Sequence, residues 1–134
     1  MKRLLYLTDE HHPHLIPAVH DYNKPQRETA MLKFIKDFQP HILVQGGDQL
    51  DLGVIAHWNR GKPRLNEGMR LSKEYETYNE VMNRREKVMK HLERHIMLEG
   101  NHEYWINNLL DEHPAFEGML EVEKNLNLLS RGVE

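Results

Sequence analysis

The chain has 134 residues, the length of one ordinary globular domain, and its 18 basic and 21 acidic side chains give a net charge of −3. Hydrophobic residues make up 39% of it, so a packed core is expected rather than wholesale disorder. The absence of cysteine excludes disulfides, thiolate metal sites and cysteine nucleophiles, so any metal must be held by imidazole, carboxylate or amide groups. No apolar run is long enough for a membrane span or a signal peptide, and we expect a cytoplasmic protein.

Three short apolar runs predict β-strands at residues 4–7, 42–44 and 96–98. Each is brief and apolar throughout, which is typical of strands buried in a parallel sheet. Between the first two, apolar residues recur at helical spacing: Met31, Phe34, Ile35 and Phe38. This helix should end before Pro40, because proline disfavours helix in the residue that precedes it. The order strand, helix, strand predicts an α/β fold of parallel strands with flanking helices.

A second amphipathic helix is predicted between the second and third strands, over about residues 67–93. Its apolar positions are Leu71, Tyr75, Tyr78, Met82, Met89 and Leu92. After the third strand, a helix containing Trp105 should stop near Pro114, and another should run from Phe116 to about Glu123. Residues 128–134 suggest a helix exit and the start of a further strand. Because a three-strand parallel sheet needs its faces and edges covered, we expect residues 1–134 to be one domain truncated at its C-terminal end.

Polar residues follow each predicted strand directly: Asp9-Glu10-His11, Gly47-Asp48-Gln49-Leu50-Asp51 and Gly100-Asn101-His102-Glu103. In open α/β sheets, ligands bind beyond the carboxyl ends of the parallel strands, so the three clusters should converge on one crevice. Together they offer imidazole, carboxylate and amide groups, which can hold a divalent cation. Two further histidines, His12 and His14, are expected to face solvent or to support the site from behind.

Each cluster taken singly also has a plain structural explanation. Asp9 and His11, two residues apart in extended chain, would point the same way and share a cation, or would lie in a surface turn. Two glycines allow a sharp bend that brings Asp48 to a metal, while Asp48 or Asp51 could instead cap a helix. Asn101 offers an oxygen ligand or belongs to a capping turn. Three such clusters, each just past a strand, are hard to explain as coincidence.

In this order the clusters resemble the Asp-x-His, Gly-Asp-x-x-Asp and Gly-Asn-His-Asp/Glu motifs of the calcineurin-like metallophosphoesterases. The resemblance implies the N-terminal half of that family's sandwich of two sheets flanked by helices. It also implies hydrolysis of phosphoesters by a metal-activated water at a dinuclear centre. By resemblance, Asp9, His11 and Asp48 bind one metal, Asp48 bridges to a second, and Asn101 ligates the second.

The same resemblance implies that His102 contacts the phosphate and assists the leaving group, and that Asp51 pairs with His102. The mixed nitrogen and oxygen ligands admit manganese, iron, zinc, nickel or magnesium. The family's later motifs, a single histidine and a Gly-His-x-His pair, do not occur in this sequence. We therefore expect the missing ligands to come from a C-terminal half or from another chain.

The substrate is predicted from a basic segment, residues 60–95, which carries ten basic side chains and six acidic ones. Arg60, Lys62 and Arg64, close to Trp58, could contact a nucleic-acid backbone, which favours a phosphodiesterase or nuclease. A solvated helix face would explain the same charges more plainly. The alternatives are a Ser/Thr-type protein phosphatase, a small-molecule phosphatase or a catalytically incomplete metal-binding interaction module. The long helix could also form a dimer surface from Met69, Tyr75, Tyr78, Met82 and Met89.

Overall fold

A parallel three-stranded sheet organises the computed structural model, which describes residues 1–12 and 24–134; His14 lies outside the described residues. The strands are β1 (Leu4–Leu7), β2 (Ile42–Gln45) and β3 (Arg94–Met97), in the order β1-β2-β3. Both pairings are parallel, as predicted. β3 begins two residues earlier than expected, because the polar His95 is buried opposite Leu43 and its ring contacts Gln45.

Five α-helices are described: α1 (Lys24–Phe38), α2 (Pro63–Asn66), α3 (Leu71–Val88), α4 (Asn101–Glu112) and α5 (Val122–Asn125). Short 3-10 turns occur at Gly53–Ile55, His57–Asn59 and Pro114–Phe116. The coarse α/β prediction is therefore confirmed. None of the described helices combines the length and the apolar character that crossing a membrane requires.

Two helix predictions differ from the structure in extent. The helix expected over 67–93 is α3, which is shorter at both ends. At its C-terminus, the Gln39 side chain donates to the Val88 carbonyl (2.8 Å) and accepts from the Lys90 amide (2.9 Å), so a distant residue satisfies the end of the helix. The helix expected from Phe116 is broken, because Gly118 has a positive φ of 85° and α5 begins only after it.

The apolar face of α3 is buried within the chain's own core. Tyr75, Tyr78 and Met82 belong to a cluster with Trp105 and Val122 of α5. Met89, directly after α3, belongs to a second cluster with residues of β1, α1 and β2. Tyr78 is 0% exposed and Met82 is 2% exposed. The hypothesis that these side chains form a dimer surface is therefore wrong.

The last two residues lie along β3, as the sequence suggested for this segment. The Glu134 amide donates to the His95 carbonyl (2.8 Å), and the Met97 amide donates to the Glu134 carbonyl (2.9 Å). His95 and Val133 form a parallel bridge.

Candidate metal centre

The three polar clusters meet at the carboxyl ends of the strands. The Asp9 amide donates to the Gly47 carbonyl (3.1 Å), and the His11 amide donates to the Asp48 carbonyl (3.0 Å). The third cluster joins them through the His102 amide, which donates to Asp48 Oδ1 (2.8 Å). Parallel strands end at one edge of the sheet, and main-chain hydrogen bonds then bring the turns beyond them into contact. The convergence expected from the sequence is present.

One group of side chains at this junction could hold a metal ion: His11, Asp48 and His102. One ligating atom from each lies within 4.8 Å of the others, and all three side chains are half-buried. Metal bonds to nitrogen and oxygen of about 2.0 to 2.2 Å separate two ligand atoms by at most about 4 Å, so small side-chain rotations would suffice to bind. Two imidazoles and a carboxylate suit zinc, iron, nickel or manganese better than magnesium.

Of the other predicted ligands, Asp9 lies outside this group. Within residues 1–12 and 24–134, it is the one cluster of three or more histidine or acidic side chains with this spacing, and Asp9 is not a member. Asp9 is exposed, and its Oδ2 accepts a hydrogen bond from Thr8 Oγ1 (2.8 Å). Asn101 is the first residue of α4 and is also exposed. The structure thus joins His11 to Asp48 and brings in His102.

The argument that Asp9 and His11 point the same way in extended chain is wrong. β1 ends at Leu7, and Asp9 and His11 have positive φ angles of 52° and 46°. Asp48 is also left-handed, with φ 50°. Such backbone is uncommon for residues other than glycine and tends to occur at functional sites, where the surrounding structure maintains it. Asp9, His11 and Asp48 therefore lie on strained turns rather than on a strand extension.

Asp51 contacts both imidazoles of the group. Nδ1 of His102 lies 2.6 Å from the main-chain oxygen of Asp51, and Nδ1 of His11 lies 3.4 Å from Asp51 Oδ1. The expected contact with His102 is thus made by the main chain, and the carboxylate contacts His11 instead. Because a carbonyl can only accept, Nδ1 of His102 donates the hydrogen bond and Nε2 is the nitrogen available for chemistry.

Aromatic rings fix the plane of the His102 imidazole. The indole of Trp105 stacks on it at 3.9 Å between centroids, and the ring of His11 meets it edge-on at 4.3 Å. Trp105 is 9% exposed and lies one turn further along α4. The imidazole is therefore constrained by its hydrogen bond to Asp51 and by packing from two directions.

Glu103 is the structural residue that the sequence interpretation missed. Its carboxylate is 2% exposed and accepts four main-chain hydrogen bonds, at 2.8 to 2.9 Å. The donors are the amides of Asp48, Gln49, Leu50 and Gly100. It joins the Gly47–Asp48 turn to the N-terminus of α4, where it accepts from the amide of Gly100, the residue that precedes the helix. An acidic residue three positions after a helix N-cap is a recognisable sequence signal for this role.

Gly47 and Gly100 let the second and third clusters approach closely. A Cβ on Gly100 would lie 2.1 Å from the Asp48 amide nitrogen, and one on Gly47 would lie 2.8 Å from Cα of Gly100. Gly47 also has a positive φ of 96°. Both positions need glycine because main-chain atoms of the facing cluster occupy the space that a Cβ would fill.

A buried ion cluster anchors the first turn. The Arg85 guanidinium is 3% exposed and contacts both carboxylate oxygens of Glu10 (2.7 and 2.8 Å) and both of Glu28 (3.0 and 2.6 Å). Burial alone would raise the pKa of Glu10, but hydrogen bonds and charge from Arg85 and His12 lower it to about 2. His12 is buried with Nε2 3.6 Å from Glu10 Oε1, so it supports the turn and does not face solvent.

Five of the ten basic side chains in residues 60–95 contact acidic side chains. These pairs are Arg60–Glu112 (3.0 Å), Lys73–Glu76 (2.6 Å), Arg84–Glu80 (3.5 Å) and Arg94–Glu134 (2.7 Å), in addition to buried Arg85. A solvated helix face therefore describes the exposed side of α3. Lys62 and Arg64, which precede α3, are exposed.

A scan against protein-family models finds no match to this chain, and searches of curated proteins and of solved structures find none either. The chemistry of the site is therefore the guide to function.

Proposed function

We propose that this chain is a metal-dependent phosphoester hydrolase domain of the calcineurin-like type that acts on phosphodiesters. The observation that carries the proposal is the group His11, Asp48 and His102, in which one residue from each of the three clusters contributes an atom within 4.8 Å of the others. Two metal ligands, His11 and Asp48, thus lie beside a possible proton donor, His102. The group lies at the carboxyl ends of the parallel strands, the position at which open α/β sheets bind their ligands. The donors are the types that bind divalent transition metals.

His11 and Asp48 would hold the ion, and the family resemblance adds Asp9 and Asn101 as further oxygen donors. When bound, a divalent cation supplies Lewis acidity, drawing charge from phosphoryl oxygens. The chain's own contribution is to fix the ligands before binding. The Asp48 amide donates to Glu103 (2.9 Å), and the Asp48 carboxylate accepts from the His102 amide. A preorganised carboxylate loses little conformational freedom when an ion binds.

We assign His102 the role of proton donor to the leaving oxygen. Its Nδ1 donates a hydrogen bond to the Asp51 carbonyl, and its ring stacks on Trp105. The orientation of Nε2 is therefore fixed, and a proton on Nε2 would point in one defined direction. A well-placed general acid contributes roughly 100- to 10,000-fold to the rate. Asp51 acts through His102 and His11 and is a positioning residue.

A metal-binding interaction module is the second candidate. It is favoured by one observation: among the described residues, the three-residue group is the one metal cluster found, and Asp9 lies outside it. A module of this kind would bind a metal ion without hydrolysing a phosphodiester.

The test combines metal binding with turnover. The metal-free chain is titrated with Mn²⁺ in a calorimeter, and hydrolysis of bis(4-nitrophenyl) phosphate is followed with and without the ion. We expect binding near one equivalent or more and metal-dependent hydrolysis, both lost in His11→Ala and Asp48→Asn. The matched control is His91→Ala, an exposed histidine just before β3. Binding without hydrolysis would select the module, and no saturable binding would refute both candidates.

A further inference from the structure

A continuous array of rings leads from the candidate metal centre to the protein surface. His102 stacks on Trp105 at 3.9 Å, and Trp105 meets Trp58 edge-on at 4.7 Å between centroids. Trp105 is 9% exposed, whereas Trp58 is 48% exposed. An indole thus lies open to solvent with one ring between it and His102.

The segment that carries Trp58 is held in place from several sides. The Asn59 side chain donates to the Gly53 carbonyl (2.7 Å), and Arg60 pairs with Glu112 at the end of α4 (3.0 Å). The His57 ring meets Trp58 edge-on at 4.7 Å. The half-exposed indole is therefore fixed relative to α4, the helix that also presents His102. Such an anchored ring can bind a planar group with little loss of its own conformational freedom.

We propose that Trp58 is a stacking platform for the nucleobase of a phosphodiester whose phosphate lies at the candidate metal centre. This inference rests on the proposed function and narrows its substrate class to nucleotides or single-stranded nucleic acid. Aromatic side chains stack on any of the bases, because every base has a π-face. Lys62 and Arg64, exposed a few residues beyond Trp58, add positive charge on the same segment for neighbouring phosphates. A phosphopeptide would not require a planar platform.

The experiment compares two phosphate ligands that differ only in the base. Adenosine 5′-monophosphate and ribose 5-phosphate are titrated into the Mn²⁺-loaded chain by calorimetry. Tryptophan fluorescence is recorded in parallel, since the chain has only two tryptophans. We expect the nucleotide to bind on the order of tenfold more tightly and to quench fluorescence. This comparison uses the wild-type chain, so it does not depend on a variant folding.

Two variants then locate the effect. Trp58→Ala should remove the tenfold advantage of the nucleotide and leave ribose 5-phosphate binding unchanged, while Trp58→Phe, which keeps a stacking ring, should retain most of it. Equal binding of the two ligands by the wild type, or an equal loss of both in Trp58→Ala, would overturn the platform while leaving the phosphate site intact. Binding of neither ligand, together with no metal-dependent hydrolysis of bis(4-nitrophenyl) phosphate, would overturn the proposed function and the platform together.

Discussion

Nδ1 of His102 lies 2.6 Å from the main-chain oxygen of Asp51, while the carboxylate of the same residue lies 3.4 Å from Nδ1 of His11. One turn residue therefore orients both imidazoles of the candidate metal centre, but by different groups. Histidine ligands commonly donate their second ring N–H to a carboxylate or carbonyl, which fixes the tautomer and the ring orientation. A change of the Asp51 side chain should affect the two histidines unequally.

Asp51→Ala should weaken metal binding about 10- to 100-fold, because His11 loses the carboxylate beside it. The hydrogen bond to His102 should survive, since it uses the main chain. Calorimetry with Mn²⁺ measures the first effect, and ¹⁵N NMR of the imidazoles shows whether Nδ1 of His102 keeps its proton. A shift of the His102 tautomer in this variant would mean that the side chain, and not the carbonyl, orients that ring.

His102→Ala should leave metal binding close to that of the parent and lower phosphodiester turnover roughly 100- to 10,000-fold, because a general acid is removed. Metal content by elemental analysis and hydrolysis of bis(4-nitrophenyl) phosphate are measured on the same sample. Loss of the metal in the His102→Ala variant would instead identify His102 as a metal ligand.

Glu103→Ala should destabilise the chain by about 3 kcal/mol or more, because four main-chain amides lose their acceptor, three after Gly47 and one at Gly100, and each buried unsatisfied group costs about 1–3 kcal/mol. Urea unfolding measures the change. Glu117→Ala, an exposed glutamate beyond α4, is the matched control and should stay within about 0.5 kcal/mol of the parent. Equal midpoints for the two variants would show that Glu103 does not secure the turn.

The local pattern of apolar and polar residues was sufficient to predict the parallel sheet and the edge of the sheet at which the candidate site lies. The apolar runs around Leu5 and Leu43 identify buried parallel strands, and the polar residues just past them can only gather at the strand ends. The clusters that contain His11 and Asp48 were predicted to share one crevice for this reason, whereas their role as ligands of one metal came from the family resemblance. These conclusions need only periodicity and the polarity of strand ends.

The remaining details depend on contacts between distant residues. The end of α3 is set by Gln39, some fifty positions away, and the direction of Asp9 depends on left-handed backbone that no local pattern encodes. Arg85 looks like one more surface charge in a basic helix, but its partners Glu10 and Glu28 come from the turn after β1 and from α1. Sequence spacing cannot reveal such partners, because they meet only when the helices pack.

Arg85→Ala should destabilise the chain by about 3–5 kcal/mol, because it leaves two buried carboxylates without their cation. Arg84→Ala is the matched control: its 3.5 Å pair with Glu80 is on the surface, and such pairs contribute about 0–1 kcal/mol. Both free energies of unfolding are measured in urea at pH 7. Similar losses in the two variants would argue that the buried cluster contributes no more than a surface pair.

The free energy of unfolding should rise with pH between about 4 and 6.5 because of His95. Burial, and then the charge of Arg131, lower the pKa of His95 from 6.5 to about 4 in the folded chain. Between these pH values His95 is protonated in the unfolded chain but not in the folded chain. Its contribution to the free energy of unfolding is therefore fully present above pH 6.5 and is lost as the pH falls towards 4. This difference between the unfolded and folded pKa values of His95 corresponds to about 3 kcal/mol in the free energy of unfolding. Urea unfolding across this pH range should show that the free energy of unfolding depends less steeply on pH in His95→Gln than in the parent. NMR titration of the parent should give a His95 pKa well below 6.5. A normal pKa would contradict the neutral, buried imidazole whose Nε2 lies 2.7 Å from Gln45 Oε1.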